Sequence, residues 1–207
     1  MDPTISTSRL LLTRLTNTAL DSEHLKWFHE IWTDNAATAW SLHGKCTTLA
    51  SSQEWMVQQL TIDDNMLYAI HVKPDPTSDA SDVCSDPTST GVLVGNIDTE
   101  IGVPGSTTSL NFRVMGYSFF ESAWGKGYAT EAGSALIASY AAFRATAKET
   151  EGGCSYIEAS VDQDNPASMK VLVKLGFKEV GLKIAPEKVF LAGDWRGPGY
   201  WIYGQYV

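Results

Sequence analysis

A strand that runs through a glycine-flanked loop straight into a long alanine-rich helix is the feature that most limits how this chain folds. It spans Gly116 to Tyr140, GYSFFESAWGKGYATEAGSALIASY. Leu110, Phe112, Val114, Tyr117 and Phe119 supply an apolar strand, and Trp124-Gly125-Lys126-Gly127-Tyr128-Ala129-Thr130 leads into the helix. A helix N-terminus carries N–H groups without intrahelical acceptors and a partial positive charge. With no side chains at Gly125 and Gly127, an anion can approach those amides closely, so the segment reads as a phosphate cradle. On this loop alone, a tight strand-to-helix turn that merely needs glycine stays open.

The kind of cradle can be narrowed. A Walker loop needs G-x-x-x-x-G-K followed by Ser or Thr. Here Phe120 stands where the first glycine belongs and Gly127 follows Lys126, so that reading fails. A dinucleotide fingerprint matches at Gly125 and Gly127, but Thr130 replaces the third glycine. That fold also requires parallel strands with crossover helices, whereas the strands upstream of this loop follow one another through turns.

The loop resembles the acetyl-coenzyme A loop of the GNAT N-acetyltransferases, whose signature is Gln/Arg-x-x-Gly-x-Gly/Ala. Trp124, Gly127 and Ala129 take the first, fourth and sixth positions. Trp124 departs from the general signature. With Gly116-Tyr117 ahead and Thr130-Glu131-Ala132 behind, the run is similar to the branch that acetylates ribosomal-protein and other protein N-termini. A second block, Asn165-Pro166-Ala167-Ser168 and then Lys174-Leu175-Gly176-Phe177, resembles the family's "N-x-x-S … K-x-G-F" helix. Two ordered blocks are more specific than either alone. The resemblance covers roughly residues 91 to 183 well and the ends loosely.

That resemblance implies a single α+β domain over residues 1–207: a mostly antiparallel, splayed sheet of about six to seven strands with helices on both faces. It implies acetyl-CoA as co-substrate and a primary amine as acceptor, on a peptide N-terminus or a small molecule, attacked directly in a ternary complex. The alternative on the same fold is a non-catalytic acyl-CoA-binding or sensing module, because fold and function are separate inferences.

Hydrophobic content of 43% and charged content of 19% are ordinary for a soluble globular protein. At 207 residues there is length to bury one core. The net charge of −9, with basic residues scattered, argues against nucleic acid as a partner. Cys46, Cys84 and Cys154 are odd in number, far apart and without a C-x-x-C pair, which fits neither a disulfide framework nor a zinc site. No metal is expected. The N-terminus MDPTISTSR has no apolar segment of a secretory signal, and no run of 18 apolar residues occurs. A cytoplasmic monomer or homodimer is the expectation.

Along the chain, Arg9 to Leu15 reads as a strand and Ala19 to about Ile31 as a helix, with His24 and His29 as surface histidines. Ser51-Ser52 and Glu54 offer capping chemistry for a helix through Leu60, and Met66 to Val72 reads as a strand. Residues 73–90, rich in Pro, Ser and Asp, read as a flexible acidic insertion. Strands are expected at Gly91–Ile97 and Ser109–Phe119, and a helix from Tyr128 to about Ala147. Then come a strand at Tyr156–Val161, a short helix at Pro166–Leu175 capped by Asn165, and a strand at Phe177–Ile184. Residues 193–199 form a turn cluster and Tyr200–Val207 a closing strand.

Acetyl transfer from a thioester requires a held cofactor, a neutral amine, a stabilised oxyanion and a leaving thiolate that gains a proton. The amides from Gly125 through Thr130 are expected to hold the pyrophosphate, with Lys126 and the Thr130 hydroxyl as further contacts. The resemblance places Tyr117, Ser118 and Phe119 beside the pantetheine arm as oxyanion donors, and assigns Trp124, Tyr128, Ala129 and Asn165 to the cofactor site. Many family members carry a tyrosine four residues ahead of Gly-Phe to protonate the thiolate. Leu172 stands there, and the branch's serine matches Ser168. The branch's glutamate past Gly-Phe falls at Glu187, with Glu100 and Glu158 as the other carboxylates that could act as base. Trp32 and Trp40, from the early helical segment, are expected to line the acceptor pocket.

Overall fold

The computed structural model describes residues 1–74, 89–94, 110–151 and 154–207. Glu100 and almost all of the acidic insertion lie outside the described residues. One eight-stranded sheet organises the rest, in the order β1-β2-β3-β4-β5-β6-β10-β7. Its strands are β1 (Thr4–Ser6), β2 (Leu10–Arg14), β3 (Met66–Val72), β4 (Ser89–Val94), β5 (Leu110–Phe119), β6 (Cys154–Asp162), β7 (Lys178–Lys183) and β10 (Tyr200–Tyr206). All neighbours are antiparallel except β5 and β6. The sheet exceeds the expected six to seven strands because the chain begins with β1, which is too short and polar to announce itself.

The helices are α1 (Glu23–Thr33), α2 (Leu49–Thr61), α3 (Tyr128–Glu151) and α4 (Pro166–Lys174). Alternation along the strands sends successive side chains to opposite faces, and two cores result. Met66, Tyr68 and Ile70 of β3 join Met115, Phe119, Leu136, Ile157 and Leu172 under α3 and α4. Leu67 and Ala69 pack with Leu25, Phe28 and Met56 under α1 and α2. Two helices on each face follow from that split.

Several boundaries differ from the sequence expectations, each for a local reason. Helix α1 begins later than Ala19, where Ser22 accepts from Leu25 N. Helix α2 starts ahead of Ser51, because Thr48 is the cap and the Ser51 hydroxyl returns the bond to it. His24 is not a free surface histidine: its Nδ1 accepts from Thr16 N and Asn17 N, stapling the turn between β2 and α1. His29 bonds Ser52 across α1 and α2. Residues 193–199 are more than a turn cluster, since β8 (Val189–Leu191) and β9 (Asp194–Arg196) pair as a separate hairpin.

Helix α3 lies tightly against the sheet. A Cβ on Gly133 would stand 2.8 Å from Leu175 Cδ1 and 2.9 Å from Met115 Cε, so any larger residue would have to displace the ends of those two side chains. That contact fixes α3, and with it the loop at its N-terminus, against β5 and α4.

Candidate active site

The sheet splits at one place. The last β5–β6 pair is Val114 with Glu158, yet β5 continues to Phe119 and β6 to Asp162. Beyond the split each strand keeps its outer neighbour: β4 follows β5 to Phe119, and β10 follows β6 to Asp162. The result is a V whose inner edges meet no further strand among the described residues, which suits an extended ligand that pairs as a strand does.

At the end of one arm sits the glycine loop. Trp124 N bonds Glu121 O at 3.0 Å, and regular bonding resumes with Glu131 N to Gly127 O at 3.0 Å. Between them, the N–H groups of Gly125 through Thr130 meet no acceptor among the described residues. Gly125 and Gly127 have φ of +72° and +80°, a left-handed conformation that side chains disfavour. Trp124, at the position of the family's Gln/Arg, serves the loop with its indole: Nε1 donates to Phe119 O at 2.8 Å. The loop is thereby tied to the tip of β5. Lys126 is exposed and makes no ion pair among the described residues.

A residue pair that sequence reasoning missed clamps this loop. Arg9, in the turn between β1 and β2, donates through Nε to Glu131 Oε2 at 2.7 Å and through Nη1 to Lys126 O at 3.0 Å. Its guanidinium also lies over the Tyr128 ring, 4.9 Å from the centroid. Thr7 Oγ1, Ser8 Oγ and Arg9 N all donate to Glu131 Oε1. Burial works against the Glu131 carboxylate, but these bonds outweigh it and hold the group down at about 2. A Cβ at Gly127 would stand 3.5 Å from Arg9 Nη2, in ordinary contact, so it is the positive φ that restricts that position. The only sequence signal was the acidic residue in the first turn of α3; its partner lies far away in the chain.

On the other arm, Asn165 caps α4 and accepts from Ser168 N at 3.1 Å, which fixes Ser168 in the first helical turn. Tyr117 reaches from β5 across the V, its hydroxyl 2.7 Å from Ser168 Oγ. Burial raises the Tyr117 phenol above its usual value, and the bond to Ser168 pulls the other way. Leu172 is buried in the core and offers no hydroxyl. A narrow apolar hollow beside this pair is lined by Met115, Tyr117, Phe119, Ala129, Leu12 and Ile70.

The opposite face of the V is roofed by the segment after α1 and by the β8–β9 hairpin. The Ser118 hydroxyl donates to Ala37 O. Ala192 N donates to Ala39 O at 2.7 Å, and the Arg196 guanidinium lies 5.2 Å from the Trp40 ring centroid. Arg196 also pairs with Asp164 at 2.7 Å, just before the cap of α4. Trp40 is thus brought beside the mouth. Trp32 is placed elsewhere, in an aromatic cluster with Phe28, His43 and Trp55 between α1 and α2. Glu187 is exposed on the connection from β7 to β8. Glu158 sits at the point of the V. Burial raises its carboxyl while Lys183 opposes that shift.

Among the described residues no three His, Cys, Asp or Glu side chains gather to hold a metal, and no helix is long and apolar enough to cross a membrane.

A family model of the acetyltransferase (GNAT) domain matches residues 9–178. The chain belongs to the GNAT acetyltransferase family. It is therefore an acyltransferase whose co-substrate is acetyl-CoA. Solved structures share its fold. A RimL ribosomal L7/L12 α-N-protein acetyltransferase in complex with coenzyme A is 16% identical, with 99% of this chain and 98% of that one covered and a TM-score of 0.67. An acetyltransferase from Salmonella typhimurium that modifies the N-terminal serine of ribosomal protein L7/L12 is 16% identical, covers 99% of each chain and has a TM-score of 0.63. The microcin C7 self-immunity acetyltransferase MccE, in complex with acetyl-CoA and AMP, is 13% identical over 97% and 94% of the chains, with a TM-score of 0.63. At these identities the likeness is one of fold. No curated sequence matches the chain.

Within this GNAT frame the residues fit acetyl-CoA. Amides without an acceptor among the described residues, with a guanidinium beside them, suit a pyrophosphate, and the edge of β5 that β6 leaves after Val114 suits a pantetheine arm.

Proposed function

We propose that this acetyltransferase modifies a primary amine, with a protein N-terminus as the leading acceptor, by direct attack on the bound thioester. The observation that carries the reading is the parting of β5 and β6 after Val114 and Glu158, with the free amides of Gly125–Thr130 along one arm and Ser168 on the other. The amides receive the pyrophosphate, and the inner edge of β5 at Tyr117–Phe119 aligns the pantetheine and faces the developing oxyanion. The amine enters from the roofed face past Trp40. Its nitrogen forms a bond to the acetyl carbon, the carbon–sulfur bond breaks with its electron pair on sulfur, and a nitrogen proton is lost to a base. Ser168 Oγ–H donates a hydrogen bond to the departing sulfur. A serine is too weak an acid to surrender its proton outright, so this bond stabilises the thiolate until it is protonated.

Acceptors of the RimL-like structures guide the choice of amine, since one is described as modifying an N-terminal serine. Glu187 is proposed as the base from the resemblance. A specific observation favours Glu158 as a second candidate. It stands where the strands part, and alternation places it on the face opposite the buried Ile157 and Ala159, the face on which Ser118 meets Ala37. Its raised carboxyl is better suited to accept a proton near neutrality.

The test is release of free thiol from acetyl-CoA in the presence of peptides with free N-termini, serine first among them, and of a panel of small amines. Turnover with a peptide and not with its N-terminally blocked form supports the reading. Turnover with small amines alone would move the acceptor to that class. Glu158→Gln is expected to lower turnover by about a hundredfold, in the range of a lost general base. The same loss in Glu187→Gln with none in Glu158→Gln would return the role to Glu187.

A further inference from the structure

We propose that Tyr117 is a positioning residue for Ser168: its phenol donates to Ser168 Oγ and so turns the serine's own O–H toward the sulfur of coenzyme A. This rests on the reading that Ser168 meets the sulfur, and adds to it a residue from the opposite arm of the V.

Geometry brings the two hydroxyls together and acidity sets the direction of the bond. The Tyr117 hydroxyl lies 2.7 Å from Ser168 Oγ, a contact in which either oxygen could donate, and 3.3 Å from Ser168 O. A phenol is a far stronger acid than an alkyl hydroxyl and makes the better donor of the pair. Burial keeps that phenol protonated through the working pH range. A serine oxygen that accepts from Tyr117 must direct its own hydrogen elsewhere. Its backbone is already fixed, since Ser168 N donates to the Asn165 cap, so the hydroxyl is left to turn toward the V.

The arrangement also accounts for Leu172. The family's tyrosine would come from α4, but Leu172 on α4 is only 1% exposed and belongs to the core. A phenol from β5 arrives instead one turn nearer the start of α4, at Ser168. Tyr117 lies three positions beyond Val114, the last β5 residue paired with β6, so the split in the sheet is what frees it to cross. The second hydroxyl polarises the first, as chains of hydrogen bonds do away from water.

The experiment reads the thiol itself and needs no acceptor. Coenzyme A is bound to saturation, and the ultraviolet absorbance of its thiolate is followed as pH rises, with the coenzyme-free protein subtracted. Ser168 donating to sulfur stabilises the thiolate, so the bound thiol is expected to ionise about one pH unit lower in the wild type than in Ser168→Ala, a tenfold change in its ionisation constant. Tyr117→Phe is expected to lose most of that shift while its affinity for coenzyme A stays within about twofold. The double variant is expected to match Ser168→Ala alone, because residues acting through one another are not additive.

No difference between wild type and Ser168→Ala would overturn the serine reading. A difference there with Tyr117→Phe at the wild-type value would overturn only the role of Tyr117. Equal, additive losses in the two backgrounds would also overturn it, by making the phenol a separate contact to sulfur. Loss of coenzyme A binding in Tyr117→Phe would do the same, by placing the hydroxyl in the cofactor grip.

Discussion

The two ends of the V are built in opposite ways. At the proposed cofactor end, Thr7, Ser8 and Arg9 converge on the single carboxylate of Glu131, and the loop it anchors is short and glycine-shaped. At the proposed acceptor end, a loop and a separate hairpin meet through Ala192 to Ala39, Arg196 to Asp164 and one ring contact at Trp40. In the proposed reading the cofactor is the constant partner, and the bonds to Glu131 hold its cradle. The proposed acceptor mouth is closed by fewer bonds, between elements that otherwise belong elsewhere, where specificity can vary without disturbing the grip on acetyl-CoA.

Substitutions can break that contrast, and the largest effect is expected at Gly127. Gly127→Glu puts a side chain at φ +80°, against Arg9, and adds negative charge where a pyrophosphate binds. Coenzyme A affinity measured by calorimetry should fall by more than about a hundredfold, two or more charge-assisted bonds' worth, with circular dichroism unchanged. Unchanged affinity would remove the cradle from the account.

Next in size is the clamp itself. Arg9→Ala should weaken coenzyme A by about tenfold, the loss of one charge-assisted contact and of loop order, and should raise hydrogen exchange across residues 124–130. If only the acceptor Michaelis constant moved, the division between the two ends would be wrong. A pH series sharpens the point. Glu131 has its folded value lowered to about 2, so its contribution is complete above the usual carboxylate range near 4.5 and is lost as pH falls from there toward 2. In urea titrations the gap between wild type and Glu131→Gln should close over that window and stay constant above it. A gap that instead closed as pH rose would contradict the clamp.

The mouth should respond differently. Arg196→Ala should raise the acceptor Michaelis constant by about fivefold, a kcal/mol or so of lost ordering, and leave coenzyme A affinity alone. The smallest change is expected for Trp124→Phe, which keeps the ring and deletes the bond to Phe119 O. Coenzyme A should weaken by only about threefold, the net worth of one neutral hydrogen bond.

The glycine loop and the start of α3 were legible because their geometry is local. Gly125, Gly127 and the start of α3 are adjacent in sequence, and the geometry of a strand running into a helix N-terminus follows from residues that touch their own neighbours. The same holds for Asn165, Pro166 and Ser168, where cap, first turn and hydroxyl lie within four consecutive positions. The hairpin β8–β9 escaped because its strands are short and largely exposed, so no run of alternating apolar residues marks them. Trp32 and Trp40 looked alike in sequence; one became the centre of an aromatic cluster and the other lies under the Arg196 guanidinium.

By itself, then, the sequence determined the kind of ligand end this protein presents: amides without side chains at a helix start, followed at family spacing by a capped serine. Tertiary structure decided what holds and completes them. Arg9 reaches Glu131, Tyr117 reaches Ser168, and Arg196 reaches Asp164 and Trp40 only because the sheet brings distant strands side by side and then parts them after Val114. Such partners leave no periodic trace along the chain, because their pairing is fixed by strand register and helix docking rather than by neighbouring residues.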